Sequence, residues 1–340
     1  MPRPDGWDDD PAALLGGDVP FRPLSIVELL DASIGGIRRD PRFVLGLSAL
    51  ISTVVQVAGS VAAYSFIGRD ARGDVTPDVL LRSVGGQFLL TAVGLVLSAF
   101  GVLVLAGALA PYFGRALLGR PPDRRLSWRA ARRRPGPLLA LALLIMGMVL
   151  AALLLPAAPL VAALAVEAHP AVIVVAGLIG LPLGIALTVW LYPKVVLAPP
   201  ALVLERTGVR AALGRSRALA RRSWGRTFWT LAVTALVTAF MGFLALRIPF
   251  LLVQLIFFRN ATGGVPLLLG LAVDTLGRIV AWSVMLPFDA GVIALLYLDQ
   301  RMRREGLDLD LRTRPRPADE ALDAGGDADP FAVRTAGRPS

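Results

Sequence analysis

The sequence predicts an all-α polytopic membrane protein, and three observations carry that reading. Of its 340 residues, 55% are hydrophobic and only 18% are charged, outside the balance of soluble domains. The apolar residues gather in six blocks, each long enough for the roughly 20 helical residues that cross a hydrocarbon core of about 30 Å. The connections between blocks alternate between arginine-rich and charge-balanced, as inner and outer loops do. Lipid offers the backbone no hydrogen-bond partner, and the short alternating strands of a barrel are missing, so each block is read as a helix.

The chain opens with Asp5, Asp8, Asp9, Asp10 and Asp18 and lacks a basic start followed by an apolar core. Residues 1–21 therefore predict a disordered acidic tail rather than a cleaved signal peptide. "SIVELLDASIGGIRR", Ser25 to Arg39, places Ile26, Leu29, Leu30, Ile34 and Ile37 on one helical face. Ser25 with Glu28 three residues later fits a capping box, giving this amphipathic helix a defined start.

The first span is Phe43–Ile67, with Gln56 near its middle. Residues 68–87 balance Arg69, Arg72 and Arg82 against Asp70, Asp74 and Asp78, and read as an outer loop. The second span, Phe88–Phe113, leads into a loop with Arg115, Arg120, Arg124, Arg125, Arg129, Arg132, Arg133 and Arg134 against Asp123 alone. "LSWRAARRRPG", Leu126 to Gly136, is a shorter amphipathic stretch before the third span, Leu138–Val166, which Pro156 and Pro159 interrupt. Glu167 and His169 are the only charged or titratable residues between it and the fourth span, Ala171–Ala198.

Then comes "LVLERTGVRAALGRSRALARRSWGRTFWTLAV", with Arg206, Arg210, Arg215, Arg217, Arg221, Arg222 and Arg226 against Glu205. Thr207 reads as an N-cap, and Val209, Ala212, Leu213, Leu219, Ala220 and Trp224 give the helix an apolar side. The fifth span runs from Phe228 to about Leu246 and the sixth from about Ile279 to Leu298, with Pro287 inside it. Between them, the apolar stretch broken by Pro249, Gly263, Gly264 and Pro266 reads as a kinked extension of the fifth helix and an approach to the sixth.

Residues 22–306 thus form a six-span membrane domain of three helix pairs, each preceded by a cytoplasmic interfacial amphipathic helix. Residues 307–340 are expected to be a disordered C-terminal tail. Arg38, Arg39 and Arg42 before the first span and Arg301, Arg303 and Arg304 after the last put both termini in the cytoplasm of a protein of the plasma (inner) membrane.

The net charge of +10 comes from 34 arginines and a single lysine, Lys194. Two explanations of that skew stand side by side: bidentate binding of lipid phosphates, and a GC-rich genome, which also favours Ala, Gly and Pro. Arg210, Arg217, Arg221 and Arg222 are the candidate inner-leaflet contacts, since anionic lipids attract a nearby basic residue by about 1 kcal/mol. The alternative is that they only set topology and dock the helix. Membrane lipids, anionic ones included, and other membrane proteins are the expected partners. Nucleic acid is not, because these arginines lie within a turn or two of spans where lipid competes for them.

"APPALVLERTGVRAALGRSRALARRSWGRTF" and the closing "LLYLDQRMRREGLDLDL" resemble the actinobacterial membrane proteins named after the membrane domain of glycerophosphoryl diester phosphodiesterase. The family pattern falls on Pro200, Ala201 and Glu205, on Arg215, Ser216, Trp224 and Arg226, and on Tyr297, Asp299, Arg301, Arg303, Glu305 and Gly306. The opening "RPLSIVELLDASIGGIRRDPRFVLGLSAL" is also similar, so the likeness covers most of residues 22–311. It implies a membrane domain without a catalytic site, since the phosphodiesterase activity of the name belongs to a separate soluble barrel.

The chemistry-bearing residues agree with that. Phosphodiester hydrolysis on such a barrel needs about 250 soluble residues with a bound metal and acid/base groups, whereas this chain has one histidine and no cysteine. Motifs of the types GxxxxGK[ST], HExxH and GxSxG are missing, and no cofactor is implied. Polar residues within spans are the better candidates, because each is costly in hydrocarbon. Asp289 is read either as a proton- or cation-linked group of a transport pathway or as a buried acid hydrogen-bonded between helices; Gln56 is read as helix–helix glue. Asp274 and Arg278 are spaced to pair on one helix face, and Arg247 is expected to snorkel. The sequence supports a non-enzymatic accessory or scaffold component of the envelope. A transporter or lipid-handling protein with a pathway between the helix pairs is the alternative.

Overall fold

A computed structural model of the chain describes residues 24–70, 77–117, 135–258 and 264–306. All regular structure among them is helical: α1 Ile26–Arg39, α2 Pro41–Asp70, α3 Pro77–Leu117, α4 Pro135–Ala165, α5 Pro170–Val195, α6 Ala198–Leu204, α7 Val209–Ala220, α8 Trp224–Ala239, a π-helical segment Phe240–Arg247, α9 Ile248–Phe258 and α10 Gly264–Glu305. Proline opens α2, α3, α4 and α5. At a first helical position its missing N–H removes no bond and its fixed φ already suits the helix.

Four stretches of the described residues are long and apolar enough to cross a membrane: Val96–Ala116, Pro135–Ala165, Pro170–Leu204 and Leu268–Glu305. Pro41–Val54 and Ile248–Phe257 are apolar but shorter. The described residues are therefore all-helical in their regular structure, and the protein is membrane-embedded. The expected tails, 1–21 and 307–340, lie outside the described residues, as does nearly all of the amphipathic stretch Leu126–Gly136.

Several expectations need correction. Helix runs through Asp70 and resumes at Pro77, so most of the predicted 68–87 loop is helical; balanced charges mark a polar segment and do not exclude a helix that proline starts. On α1 the capping box is present, with the Ser25 N–H donating to Glu28 Oε2 at 2.7 Å and the Glu28 N–H to Ser25 Oγ at 3.2 Å. Its buried residues are Leu29, Ala32, Ser33 and Gly36, whereas Ile34 and Val27 are exposed. The inward face is thus turned toward small residues, which permit closer helix approach than the isoleucines do. Gly208, not Thr207, is the N-cap of α7.

Pro249 cannot donate to the carbonyl four residues earlier, and the turns just before it, Phe240–Arg247, take the wider π geometry. Helix is thus continuous from α8 through the π segment into α9, extending the fifth helix to Phe258.

The chain divides into two compact units, residues 1–32, 106–231 and 291–340, and residues 33–105 and 232–290. In the first, α4 and α5 form the closest pair. Gly180 and Gly184 lie directly against α4: a Cβ at Gly180 would collide with the Pro156 carbonyl oxygen and one at Gly184 with that of Leu153. This Gly-x-x-x-Gly spacing serves a contact within the chain. Glu167, at φ 49°, turns the chain between the two helices, and His169 Nδ1 accepts the Ala171 N–H to cap α5. The outer flanks of α4 and α5 are a continuous apolar surface, with Leu155, Leu178 and Ile179 among the most exposed.

In the second unit, serines stitch α1 and α2 to α10. Ser33 Oγ donates to the Phe288 carbonyl at 2.9 Å, Ser48 Oγ to that of Ser283 and Ser52 Oγ to that of Ile279 at 3.2 Å. Pro287 leaves the Ser283 carbonyl without its helical donor, and the Ser48 hydroxyl takes that place.

Candidate functional site

The family-type residues gather in the first unit, where α6, α7, α8 and the end of α10 meet. Pro199 and Pro200 deprive the carbonyls of Val195 and Val196 of helical donors, so the chain breaks between α5 and α6. Arg206, held at φ 52°, then makes the sharp turn that lets α7 fold back beside α6; a left-handed non-glycine residue costs roughly 1–2 kcal/mol. That turn brings Glu205, at the end of α6, beside Arg215 on α7.

Glu205 is buried, and its Oε1 accepts from Arg215 Nε at 2.8 Å and from the Tyr297 hydroxyl. Arg215 also pairs through Nη2 with Glu305, and Arg301 Nε donates to Glu305 Oε2 at 3.1 Å. Arg301 Nε also lies 3.8 Å from Glu205 Oε1, so two carboxylates and two guanidiniums close a ring into which the phenol donates. Burial disfavours the charge on Arg215, but hydrogen bonds to Glu305 and Glu205 outweigh it and raise its pKa above the ordinary arginine value.

One turn away, Asp299 is fully buried and accepts from three directions. The Leu24 N–H donates to Oδ1 at 2.8 Å, Arg303 Nε to Oδ1 at 3.0 Å and Arg226 Nε to Oδ2 at 3.1 Å. Both arginines also donate to the Leu24 carbonyl, Arg303 Nη2 at 2.7 Å. The peptide just before α1 is therefore held at its donor and its acceptor. Nothing in the sequence pattern of Leu24 marks it for this role, because it is backbone that is gripped.

The remaining motif residues are local. Ser216 Oγ donates to the Lys194 carbonyl at 2.8 Å, fastening α7 to the end of α5. Gly306, at φ 60°, donates its N–H to the Met302 carbonyl and stops α10 in the left-handed conformation that glycine adopts freely. Each motif residue thus has a place in folding the α6–α8 and α10 ends together. Carboxylates whose lone pairs are already directed at guanidiniums are poorly placed to act as general bases.

The candidate lipid contacts separate from these. Arg210, Arg217, Arg221 and Arg222 are exposed, in contrast to Arg215 and Arg226 of the same stretch. Gln56 is buried in α2.

The intramembrane candidates lie in the second unit. The Thr238 hydroxyl donates to Asp289 Oδ1 at 2.5 Å, tying α8 to α10 just past Pro287. Asp274 and Arg278 form the expected pair. Arg247 does not snorkel: it pairs with the same Asp274 carboxylate and donates through Nη1 to the Asp274 carbonyl at 2.9 Å. A separation of 27 positions hid that partner. Gly277 permits the approach, since a Cβ there would meet Phe250 and Arg247 Nη1.

Among the described residues no group of three acidic or histidine side chains could hold a metal ion. No protein-family model, curated protein or solved structure matches the chain.

Proposed function

We propose that this chain is a non-enzymatic integral membrane protein, an accessory or scaffold component of the cell envelope that works through lipids and membrane partners. One observation carries the reading: Glu205, Arg215, Tyr297, Asp299, Arg301, Arg303 and Glu305 spend their polar atoms on one another, on Arg226 and on the Leu24 backbone. Such a set fixes helices in place and offers nothing to a substrate. The six-span topology, both termini in the cytoplasm, the plasma-membrane location and kinship with the family of similar motifs belong to this proposal. They rest on loop charges and on the quoted motif residues.

The transporter reading draws on Asp289, whose carboxylate sits in an apolar helix with Thr238 as its donor. Proteoliposomes separate the two. A scaffold leaves proton and solute flux at the level of empty vesicles, and Asp289→Asn changes nothing. A proton-linked flux that Asp289→Asn abolishes would overturn the scaffold reading.

A further inference from the structure

Arginines that the fold does not consume are concentrated beside the end of α5. Arg217 on α7 and Arg221 at its C-cap are one helical turn apart, are exposed, and make no ion pair among the described residues. Arg221 lies within electrostatic reach of Lys194 at the end of α5. Two specific bonds hold these like charges together: Ser216 Oγ to the Lys194 carbonyl, and Trp224 Nε1 to the Trp190 carbonyl at 3.1 Å. Gathering cations on a rigid frame without an acid is unfavourable unless an anion is supplied from outside.

The surroundings say which kind of anion. The Lys194 ammonium lies over the ring of Trp190, which is itself 55% exposed. Trp229 is also exposed, and Trp224 stacks on Phe228 with ring centroids 5.2 Å apart. Below Trp190, exposed Leu187 and Leu183 follow at one-turn spacing on the face of α5 that also carries Lys194. From Leu183 to Lys194 the helix rises about 16 Å. Along that line the surface passes from aliphatic to indole to cationic, the order of acyl chain, glycerol region and phosphate in a phospholipid leaflet.

We propose that Lys194, Arg217 and Arg221, with Trp190 beside them, form a binding site for the headgroup of an anionic phospholipid whose acyl chains lie along the exposed flank of α5. The site rests on the reading of the chain as membrane-inserted with this end of α5 at a headgroup layer. It goes further in naming the lipid class and in using a lysine and a tryptophan from a different helix than the arginines.

The test uses the full-length protein in nanodiscs and the quenching of tryptophan fluorescence by brominated lipids. Brominated phosphatidylglycerol should quench more than brominated phosphatidylcholine at equal mole fraction, and Trp190→Phe should remove most of that difference. Lys194→Gln with Arg221→Gln should lower the preference for the anionic lipid roughly tenfold. The charge-matched pair Arg38→Gln with Arg42→Gln should leave it unchanged.

Equal quenching by both lipids overturns the site, and so does an equal loss in the Arg38/Arg42 pair, which would mean diffuse surface attraction. Displacement by inorganic phosphate would mark a free-anion site and overturn it too. Each of these leaves the scaffold reading standing. Only failure of the protein to enter the bilayer, read by alkaline extraction, takes both down.

Discussion

Asp299 and Asp274 solve the same problem in two parts of the molecule, and the way they differ separates a joint from a brace. Each is an acid on α10 that pairs with an arginine four residues on, Arg303 or Arg278, and with a second arginine from elsewhere, Arg226 or Arg247. In each case a backbone carbonyl takes up donors that one carboxylate cannot. At Asp274 that carbonyl is its own, so two segments are tied. At Asp299 it belongs to Leu24, 275 residues away in sequence, and a third segment is locked in. Asp299 is also fully buried, whereas the Asp274 side chain keeps 11% of its exposure. Three arginines or acids in a row of sequence say little about which kind is being built; the number of chain segments meeting at the carboxylate decides it.

The sharpest way to break that comparison is to remove each acid. Asp299→Ala should cost about 3–5 kcal/mol, because two guanidiniums and the Leu24 amide lose their acceptor together. Thermal unfolding in mild detergent measures this, and proteolysis just before α1 should accelerate as the Leu24 peptide is released. Asp274→Ala should cost less, about 3 kcal/mol, since Arg278 is 31% exposed and can turn toward water. A larger loss at Asp274 than at Asp299 would show that segment count is not what matters.

The ring around Glu205 gives a smaller test of the same idea, in which acids and bases are matched. Glu205→Gln keeps the size and one acceptor but loses charge opposite Arg215, and should cost about 2 kcal/mol; Tyr297→Phe removes one neutral donor and should cost about 1 kcal/mol. If the phenylalanine variant is the less stable of the two in the same unfolding assay, the phenol rather than the ion pair holds α6 to α10.

How much of this was legible follows from range. The capping box of α1 and the Asp274–Arg278 pair are local patterns within one helical turn and both are present, and of the six expected spans four membrane-length helices stand among the described residues. The residues of the Tyr297–Gly306 motif could be picked out, but not their partners: Glu205 meets Tyr297 across 92 positions, and Leu24 contributes only backbone. The face of α1 was misjudged because hydropathy favours Ile34, whereas close packing between helices favours Ala32, Ser33 and Gly36. Sequence already set Arg210, Arg217, Arg221 and Arg222 apart from the motif residues Arg215 and Arg226. What it lacked were the partners, Glu205 and Glu305 for Arg215 and Asp299 for Arg226, which come from other segments of the chain.

Neutral bonds between the same kinds of helices set the lower end of the scale, and Ser48 offers a clean case. Its hydroxyl serves the Ser283 carbonyl that Pro287 leaves without a helical donor. Ser48→Ala should therefore cost about 1 kcal/mol by stranding a carbonyl in an apolar setting. Pro287→Ala restores an N–H at position 287 that can close the helical bond to the same carbonyl. In that background Ser48→Ala should cost almost nothing, so the two substitutions couple by most of the single-variant effect. Additive losses in unfolding measurements on all four forms would mean that Ser48 acts by packing alone. The proline and the serine, 239 positions apart in the chain, would then be independent rather than a fault and its repair.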